Sequence, residues 1–530
     1  MAEREKRRVS ARATGVVGIA ILCSRILGLV REIVIASLFG ASRNLDAFLT
    51  AFRAPNMLRD LFAEGALSTA FVTTFSKRIT AEGDQSAWAL ANKIATLTTV
   101  FMSFVTLIGI LFAPQLIGAL APGFDPEKTA LTVLLAQVMF PFILLVSLAA
   151  LAMGMLNAKD VFGVPAMASS FFNLGSIFGG VLLGWWMDPH FGTRALIGLA
   201  LGTLIGGLLQ LLVQVPSLLK VGFVLRADFR WRDEGVKKVL QLMGPAVIAA
   251  SAVQVNVLVN SIFASYLQDG AVSWLNIAFR LMQLPLGLFG VALATVTLPL
   301  ISRSAARGDM PEFRGALAHA LRLVMLLTIP SAIGLIIMAE PIISLIYEHG
   351  RFTAAATQQT AGALRFYAFG LVGYAAVKVL APAFYALDRR NLPMFVSLFA
   401  IVLNFGLNWL LTFHLGLGHQ GLALSTSLVA MANFLFLYVM MRRYAGQLET
   451  GAMLRTFLKL LLAGACLGAI CWLGRHWFFA SDLPQTTAHR VFGVGTTVIV
   501  GSAVFFGTAY LLRVAELHDL VEVVQRKLKR

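Results

Sequence analysis

Fourteen apolar runs, each of about 20 residues or more, constrain this chain before any other feature does. They fall near residues 14–38, 45–76, 87–112, 129–156, 162–187, 194–219, 237–266, 271–302, 314–338, 357–386, 393–414, 419–441, 454–478 and 490–513. Each is long enough to cross a bilayer as an α-helix, which satisfies its own backbone hydrogen bonds in lipid. The runs are continuous rather than alternating, which disfavours a membrane β-barrel. Composition agrees: 58% of the 530 residues are hydrophobic and 13% charged, with a mean hydropathy of +0.80, where a soluble protein carries about 25% charged residues. The expected class is an all-α polytopic membrane protein with fourteen transmembrane helices. Met1–Arg12 is basic and polar and does not read as a cleavable signal peptide, because no short apolar core ends at a small-residue cleavage site. Cys23, Cys466 and Cys471 all lie in apolar segments, so neither a disulfide nor a thiolate metal site is expected.

The net charge of +17 reads as topology rather than as affinity for nucleic acid. With the N-terminus inside, Arg4, Lys6, Arg7, Arg8, Lys77, Arg78, Lys159, Lys220, Arg226, Arg230, Arg232, Lys237, Lys238, Arg303, Arg307, Arg389, Arg390, Arg442, Arg443 and the basic tail fall on the cytoplasmic side. The outer loops receive Arg43, Lys128, Arg194, Arg351, Arg475 and Arg490. This asymmetry places both termini in the cytoplasm.

The first two spans are unusual. Gly15–Ser76 is apolar enough to enter a membrane, yet it carries Arg25, Arg31, Glu32, Asp46, Arg53, Arg59, Asp60 and Glu64. A charge at the centre of a bilayer costs about 2.5–3.5 kcal/mol on insertion scales. Asp46, Thr50, Arg53, Asn56, Asp60 and Glu64 follow one another in steps of 4, 3, 3, 4 and 4, which keeps them on one helical face. Arg25 and Glu32 share a face of the preceding span, and Ser24 and Arg31 share the adjacent one. Two arginine-rich polar stripes suggest the wall of a wet cationic cavity. Pro55, Pro141, Pro285, Pro299 and Pro382, with Gly28, are expected to bend spans or free carbonyls.

The chain also repeats itself at an offset near 227. Ala51-Phe52-Arg53 matches Ala278-Phe279-Arg280, Leu61-Phe62 matches Leu288-Phe289, and Asp160 and Pro165 match Asp388 and Pro393. Spans one to six and seven to twelve therefore read as two parallel repeats. The expected organisation is an N-lobe at 1–219, a basic cytoplasmic linker at 220–238 and a C-lobe at 239–445. Two further spans occupy 446–514, and an amphipathic cytoplasmic tail occupies 515–530. Ser273, Asn276, Arg280 and Gln283 step by 3, 4 and 3 along span eight. Each lobe thus carries an arginine on a polar face, expected to line one central cavity. Lys378, in the otherwise apolar span ten, is read as a supporting cation. Asn404 and Asn408 share a face of span eleven, where a satisfied buried hydrogen bond is favoured over an ion site.

No P-loop, HExxH or GxSxG is present, and the histidines lack metal-ligand spacing. Catalytic residues, a metal and a cofactor are not expected. Arginine stays charged at any working pH and grips phosphate through a planar fork. Arg25, Arg31, Arg53, Arg59 and Arg280 together suit an anionic head group, above all a diphosphate, with Glu32, Asp46 and Glu64 holding them between substrates; the alternatives are an intrahelical ion pair of Arg59 with Asp60 or Glu64, and Asp46 as a cap of span two. Ser273 completes the expected cavity set, with Asn56, Gln283 and Lys378 in support. The runner-up is an exporter of drugs or of a lipid-linked oligosaccharide; one for organic cations would show an acidic, aromatic-lined cavity. A lipid-diphosphate enzyme would need paired carboxylates, usually with a divalent metal. A scaffold has no reason to keep charges deep in a membrane.

Ser24-Arg25-Ile26-Leu27-Gly28 with Arg31-Glu32, then Pro55-Asn56-Met57-Leu58-Arg59 and Ala63-Glu64-Gly65-Ala66, carry a family likeness. So do Ser273-Trp274, Arg280, the Leu288–Pro299 run and Val377-Lys378-Val379-Leu380-Ala381-Pro382. With these motifs the chain resembles, along essentially its whole length, the MurJ (MviN) family of lipid II flippases within the multidrug/oligosaccharidyl-lipid/polysaccharide exporter superfamily. The resemblance implies two six-helix lobes in a V around a central cavity, with spans thirteen and fourteen forming a groove for a lipid tail. It implies alternating-access transport of undecaprenyl-diphosphate-linked disaccharide-pentapeptide from the inner to the outer leaflet of a bacterial plasma membrane, for peptidoglycan synthesis. Lipid II and membrane lipids are the implied partners, and a monomer is expected. Arg25, Arg31, Arg59 and Arg280 match the family's cavity arginines, Asp46 a cavity acid, and Arg53 a usual basic position. Phe279 and Gln283 stand where some members have acids. Asn404 and Asn408 stand where some have the Asn–Asp pair of a sodium site, which leaves coupling open between membrane potential, protons and a monovalent cation.

Overall fold

A computed structural model describes residues 2–479 and 486–528, excepting the side chains of 2–16, 63–66, 248, 249, 252, 253, 520, 523, 524 and 526–528. Helices account for every regular element among them, with no strand. Ten helices are long and apolar enough to cross a membrane, or eleven when the pair Ala354–Phe369 and Leu371–Ala386, bent by 43°, counts as one span. Each falls on one of the expected spans. The other three expected spans, 14–38, 45–76 and 237–266, are also helical (Ala2–Phe39, Arg43–Glu82 and Glu234–Ser265) but lie outside that set.

By internal contacts the chain divides into Met1–Val272 and Ser273–Arg530. The first unit holds α1 (Ala2–Phe39), α2 (Arg43–Arg59), a π-helical stretch (Asp60–Leu67), α3 (Ser68–Glu82), α4 (Asp84–Leu111), α5 (Ala113–Leu120), α6 (Pro126–Met139), α7 (Phe142–Ala158), α8 (Gly163–Met187), α9 (Ala195–Leu212), α10 (Val215–Lys220) and α11 (Glu234–Ser265). Helix α11, which the repeat assigns to the second lobe, packs on the π stretch, α3, α4 and α5 of this unit.

Small residues set the tightest packing. Gly198, Gly202 and Gly206 recur every four residues along α9, a spacing that brings helix backbones together in membranes. A Cβ at Gly202 would come within 2.2 Å of the Gly180 nitrogen on α8, and one at Gly198 within 2.3 Å of the Gly184 nitrogen. On another side, Phe71 stacks on Phe75 at 5.2 Å, Phe75 meets Trp88 at 5.2 Å, and Trp88 meets Phe223 at 5.5 Å. This row pins the start of the linker. The linker runs on without regular structure along α4, where Asn92 receives the Arg226 N–H (2.8 Å) and Thr96 the Asp228 N–H (3.0 Å). Asp233 ends it, capping α11 and accepting from Arg78 and Lys93, both at 2.7 Å. Burial alone would raise the Asp233 carboxyl, and the hydrogen bonds from Arg78 and Lys93 outweigh it, so its pKa lies well below the ordinary value.

The second unit continues from α12 (Ala271–Pro285) through a π stretch (Leu286–Val291), α13 (Ala292–Ala306), α14 (Met310–Ile337), α15 (Ala339–Tyr347), α16 (Ala354–Phe369), α17 (Leu371–Ala386), α18 (Asn391–Trp409), α19 (Gly418–Ala445), α20 (Thr450–Phe478), α21 (Thr487–Leu511) and α22 (Ala515–Leu528). The sharp bend in span ten falls at Gly370, while the expected hinge, Pro382, sits inside continuous α17. The reason is a hydroxyl. Ser427 of α19 donates toward the carbonyls of Phe366 (2.6 Å) and Tyr367 (3.2 Å), and a Cβ at Gly370 would meet the Ser427 Cα at 2.7 Å. Two ion pairs tie α20 and α21 to α15: Arg475–Glu340 at 2.7 Å and Arg490–Glu348 at 2.9 Å. At the opposite end Arg322 of α14 pairs with Glu449 at 2.6 Å and with Glu516 of α22. The expected outer loop Arg475–Arg490 begins and ends in these helices, and its middle, 480–485, lies outside the described residues. Helix α22 spans the expected amphipathic tail, where the side chains of Leu520, Val524 and Leu528, on which that expectation rests, lie outside the described residues.

The two units share internal geometry at the repeat offset. Each has a helix, a π stretch and a helix at 43–82 and 271–306. Asp160 and Asp388 both adopt left-handed backbones, φ 60° and 56°. Each sits in a Schellman turn, with Asp160 N–H to Asn157 and Val161 N–H to Leu156 in one case, and Asp388 N–H to Tyr385 and Arg389 N–H to Phe384 in the other.

Candidate functional site

The charged second span breaks where its chemistry begins. Pro55 lies inside α2, and the chain passes into the π stretch at Asp60. A proline removes a helical donor, and a π segment rotates the following side chains. Here Arg59 turns onto its neighbour: Nη2 donates to Asp60 Oδ1 at 2.9 Å and Nε at 3.2 Å. Asp60 Oδ2 also receives Gln254 Nε2 of α11 at 3.4 Å. One helical register earlier, Arg53 Nη1 donates to Ser261 Oγ of α11 at 2.5 Å. Residues 53 and 60 thus meet 261 and 254, so α2 and α11 run antiparallel through about two turns. Both arginines are half-buried, as is Asn56. Glu64 follows on the π stretch, and its side chain lies outside the described residues.

Helix α1 packs on α8, where Asn173 Nδ2 donates to the Ser24 carbonyl at 3.1 Å and faces Gly28. Arg31 lies 5.0 Å from the Phe172 ring centroid, within cation–π range. Arg31 and Glu32 are half-buried, and Arg25 is exposed. These groups keep arginine charge accessible along α1.

Asp46 behaves differently from its stripe. It is 1% exposed and accepts from Lys128 Nζ at 3.2 Å and from the Gly270 N–H at 2.7 Å. Lys128, expected in an outer loop, is 3% exposed and also donates to Asp269 at 2.7 Å. The Asp46 carboxylate is therefore taken up in a buried ion pair rather than presented on an open wall. Just beside it, Arg43 pairs with Asp125, the N-cap of α6. That hydrogen bond, followed by the Lys128 N–H, lowers the Asp125 pKa to about 2.

In the second unit Arg280 is half-buried on α12, and Phe279 packs its ring on Tyr367 at 5.2 Å. Ser273 is fully buried, and Trp274 beside it packs on His419 at 5.0 Å. The buried position removes Ser273 from any accessible surface. Gln283 and Lys378 are exposed. Asn404 is buried and receives the Ser425 hydroxyl at 2.9 Å, the satisfied hydrogen bond expected from its position. Sequence reasoning passed over Gln254 and Ser261. Their signal is a seven-residue spacing of polar side chains in an apolar span.

Membrane-length helices, with half-buried arginines beside a broken span, define a polytopic α-helical membrane protein. The family described as "Lipid II flippase MurJ" matches residues 35–487. This chain belongs to that family. The probable lipid II flippase MurJ of Buchnera aphidicola subsp. Acyrthosiphon pisum is 37% identical over 423 residues, 79% of this chain and 81% of the relative. The lipid II flippase MurJ of Burkholderia cenocepacia is 35% identical over 504 residues, 93% of this chain and 95% of the relative. A solved structure of lipid II flippase MurJ in an inward closed conformation matches with a TM-score of 0.77 at 26% identity, covering 95% of this chain and 99% of that one.

Proposed function

We propose that this chain is a lipid II flippase. It moves undecaprenyl-diphosphate-linked disaccharide-pentapeptide from the inner to the outer leaflet of a bacterial plasma membrane, for peptidoglycan synthesis. Arg25, Arg31, Arg53 and Arg59 bind the diphosphate, and Arg280 is a further candidate cation for it. α20 and α21 receive the lipid tail, and both termini are cytoplasmic. The chain acts as a monomer by alternating access, driven by membrane potential or a monovalent cation. The observation that supports this reading is the run of half-buried arginines held by Asp60, Ser261 and Phe172 inside a chain of the lipid II flippase family. A guanidinium fork fits a diphosphate, and Asp60 or Ser261 can hold it when substrate is away.

The test is depletion of the chromosomal copy with a leaflet-specific assay for lipid II, complemented by Arg25→Ala, Arg59→Ala and Arg280→Ala. Each variant, present at parental levels, is expected to lose outward lipid II by about tenfold or more, the scale of one charge-assisted contact. Full complementation by all three would overturn the reading.

A further inference from the structure

We propose that the second unit carries a separate binding site for the phosphate of an anionic phospholipid, in a cavity along α16 between the end of α14 and the start of α19. The cavity holds about 780 Å³, within the range of small-molecule sites. Its polar wall is Arg365 with Gln358, Gln359 and Gln420, and its apolar wall includes Phe366 and Phe369.

The charge count favours an anion. Arg365 Nη2 stands 3.6 Å from Glu340 Oε2, beyond hydrogen-bond distance, while Arg475 Nη2 already donates to that same oxygen at 2.7 Å. Two guanidiniums on one carboxylate leave this triplet with an excess of one positive charge. A phosphodiester carries one negative charge, and the guanidinium fork suits its two free oxygens. The glutamine amides add neutral donors. A Cβ at Gly362 would come within 2.4 Å of Gln420 Nε2, so the α19 amide lies directly across α16 at the cavity wall.

Depth favours a lipid over a free ion. Glu340 opens α15 immediately after α14 ends, and Arg475 is in the last turn of α20. Arg365 itself sits inside span ten, and its guanidinium, 3.6 Å from Glu340, reaches the level where α14 and α20 end, the depth at which head groups lie. Phe366 and Phe369 line the same hollow, which suits a glycerol and acyl chain and offers a hydrated ion nothing. The leaflet rests on the proposed orientation: with cytoplasmic termini, this end faces the outer leaflet.

Native mass spectrometry of the full chain in detergent, titrated with phosphatidylglycerol or phosphatidylethanolamine, tests the site. The parent is expected to bind phosphatidylglycerol about tenfold more tightly, and Arg365→Gln to abolish that preference. Gln420→Leu, which removes a donor to the phosphate without touching the charge cluster, is expected to weaken both lipids and keep the preference. Equal affinity for the two lipids in the parent, an unchanged preference in Arg365→Gln, or unchanged affinities in Gln420→Leu overturns the proposal. Displacement of phosphatidylglycerol by excess inorganic phosphate also overturns it, in favour of a free-anion site. The readout is independent of flipping: a chain that keeps this preference but fails to move lipid II would refute the transport reading alone.

Discussion

At the scale of single residues, the same residue type takes different roles according to what faces it. Asp46 and Asp60 share one helical stripe, yet Asp46 is locked against Lys128 and Asp60 is shared between Arg59 and Gln254. Lys128→Met would leave the Asp46 carboxylate buried without its cation, at a cost of about 3–5 kcal/mol. Thermal unfolding in detergent should show a clear drop in midpoint. The double variant Asp46→Asn with Lys128→Met should recover much of that loss, since the amide oxygen still accepts the Gly270 N–H. A single variant as stable as the parent would show that the pair is not a structural unit. The stripe itself was legible from spacing. The Asp46–Lys128 pair was not, because its partners lie 82 residues apart and nothing local marks Lys128 as buried.

At the scale of elements, packing and capping supply what periodicity leaves open. Helices α8 and α9 touch backbone to backbone through glycine, so Gly202→Ala forces them apart. Overpacking of this kind costs about 1–3 kcal/mol, and the unfolding midpoint should fall while an exposed change such as Gly244→Ala, with open space around it, leaves it unchanged. The linker depends on Asp233 as a charged hub. Its depressed pKa means the stabilisation is fully present above the unfolded value near pH 4 and is lost as the pH falls through the lower folded value. Stability of the parent should therefore fall on acidification below about pH 4 more steeply than that of Asp233→Asn, which lacks the ionisation altogether. Parallel acid profiles would argue against the hub. Of the prolines expected to bend spans, Pro141 does separate α6 from α7, whereas Pro55, Pro299 and Pro382 sit inside continuous helices. The break at Gly370 was not readable along the chain, because it is made by a hydroxyl on α19.

At the scale of the whole molecule, the internal repeat and the charge asymmetry make the most exposed prediction. In a chain with Cys23, Cys466 and Cys471 replaced by serine, His190→Cys should react with an impermeant maleimide added to intact cells, because 190 lies between spans five and six. Asp228→Cys in the linker should react only after the membrane is opened. The reverse pattern would invert the proposed topology. The spans are legible from composition along the chain, since lipid imposes length and apolarity on each segment independently, and the repeat from motifs that recur at one offset. The Schellman turns at Asp160 and Asp388 show that the repeat extends to backbone geometry.

The sequence by itself determined the helical membrane class, the places of the ten or eleven spans long and apolar enough to cross a membrane, the polar stripes of the first two segments and the family. Each of these is written in local order: run length, step size and motif. Tertiary structure alone decided that Asp46 and Ser273 are buried, that Arg53 and Arg59 are held by Ser261 and Asp60, and that Arg365 stands beside a cavity with half a partner. Burial and pairing depend on which distant segments share a surface, and that is set by packing between helices, where a glycine or a hydroxyl far along the chain chooses the neighbour.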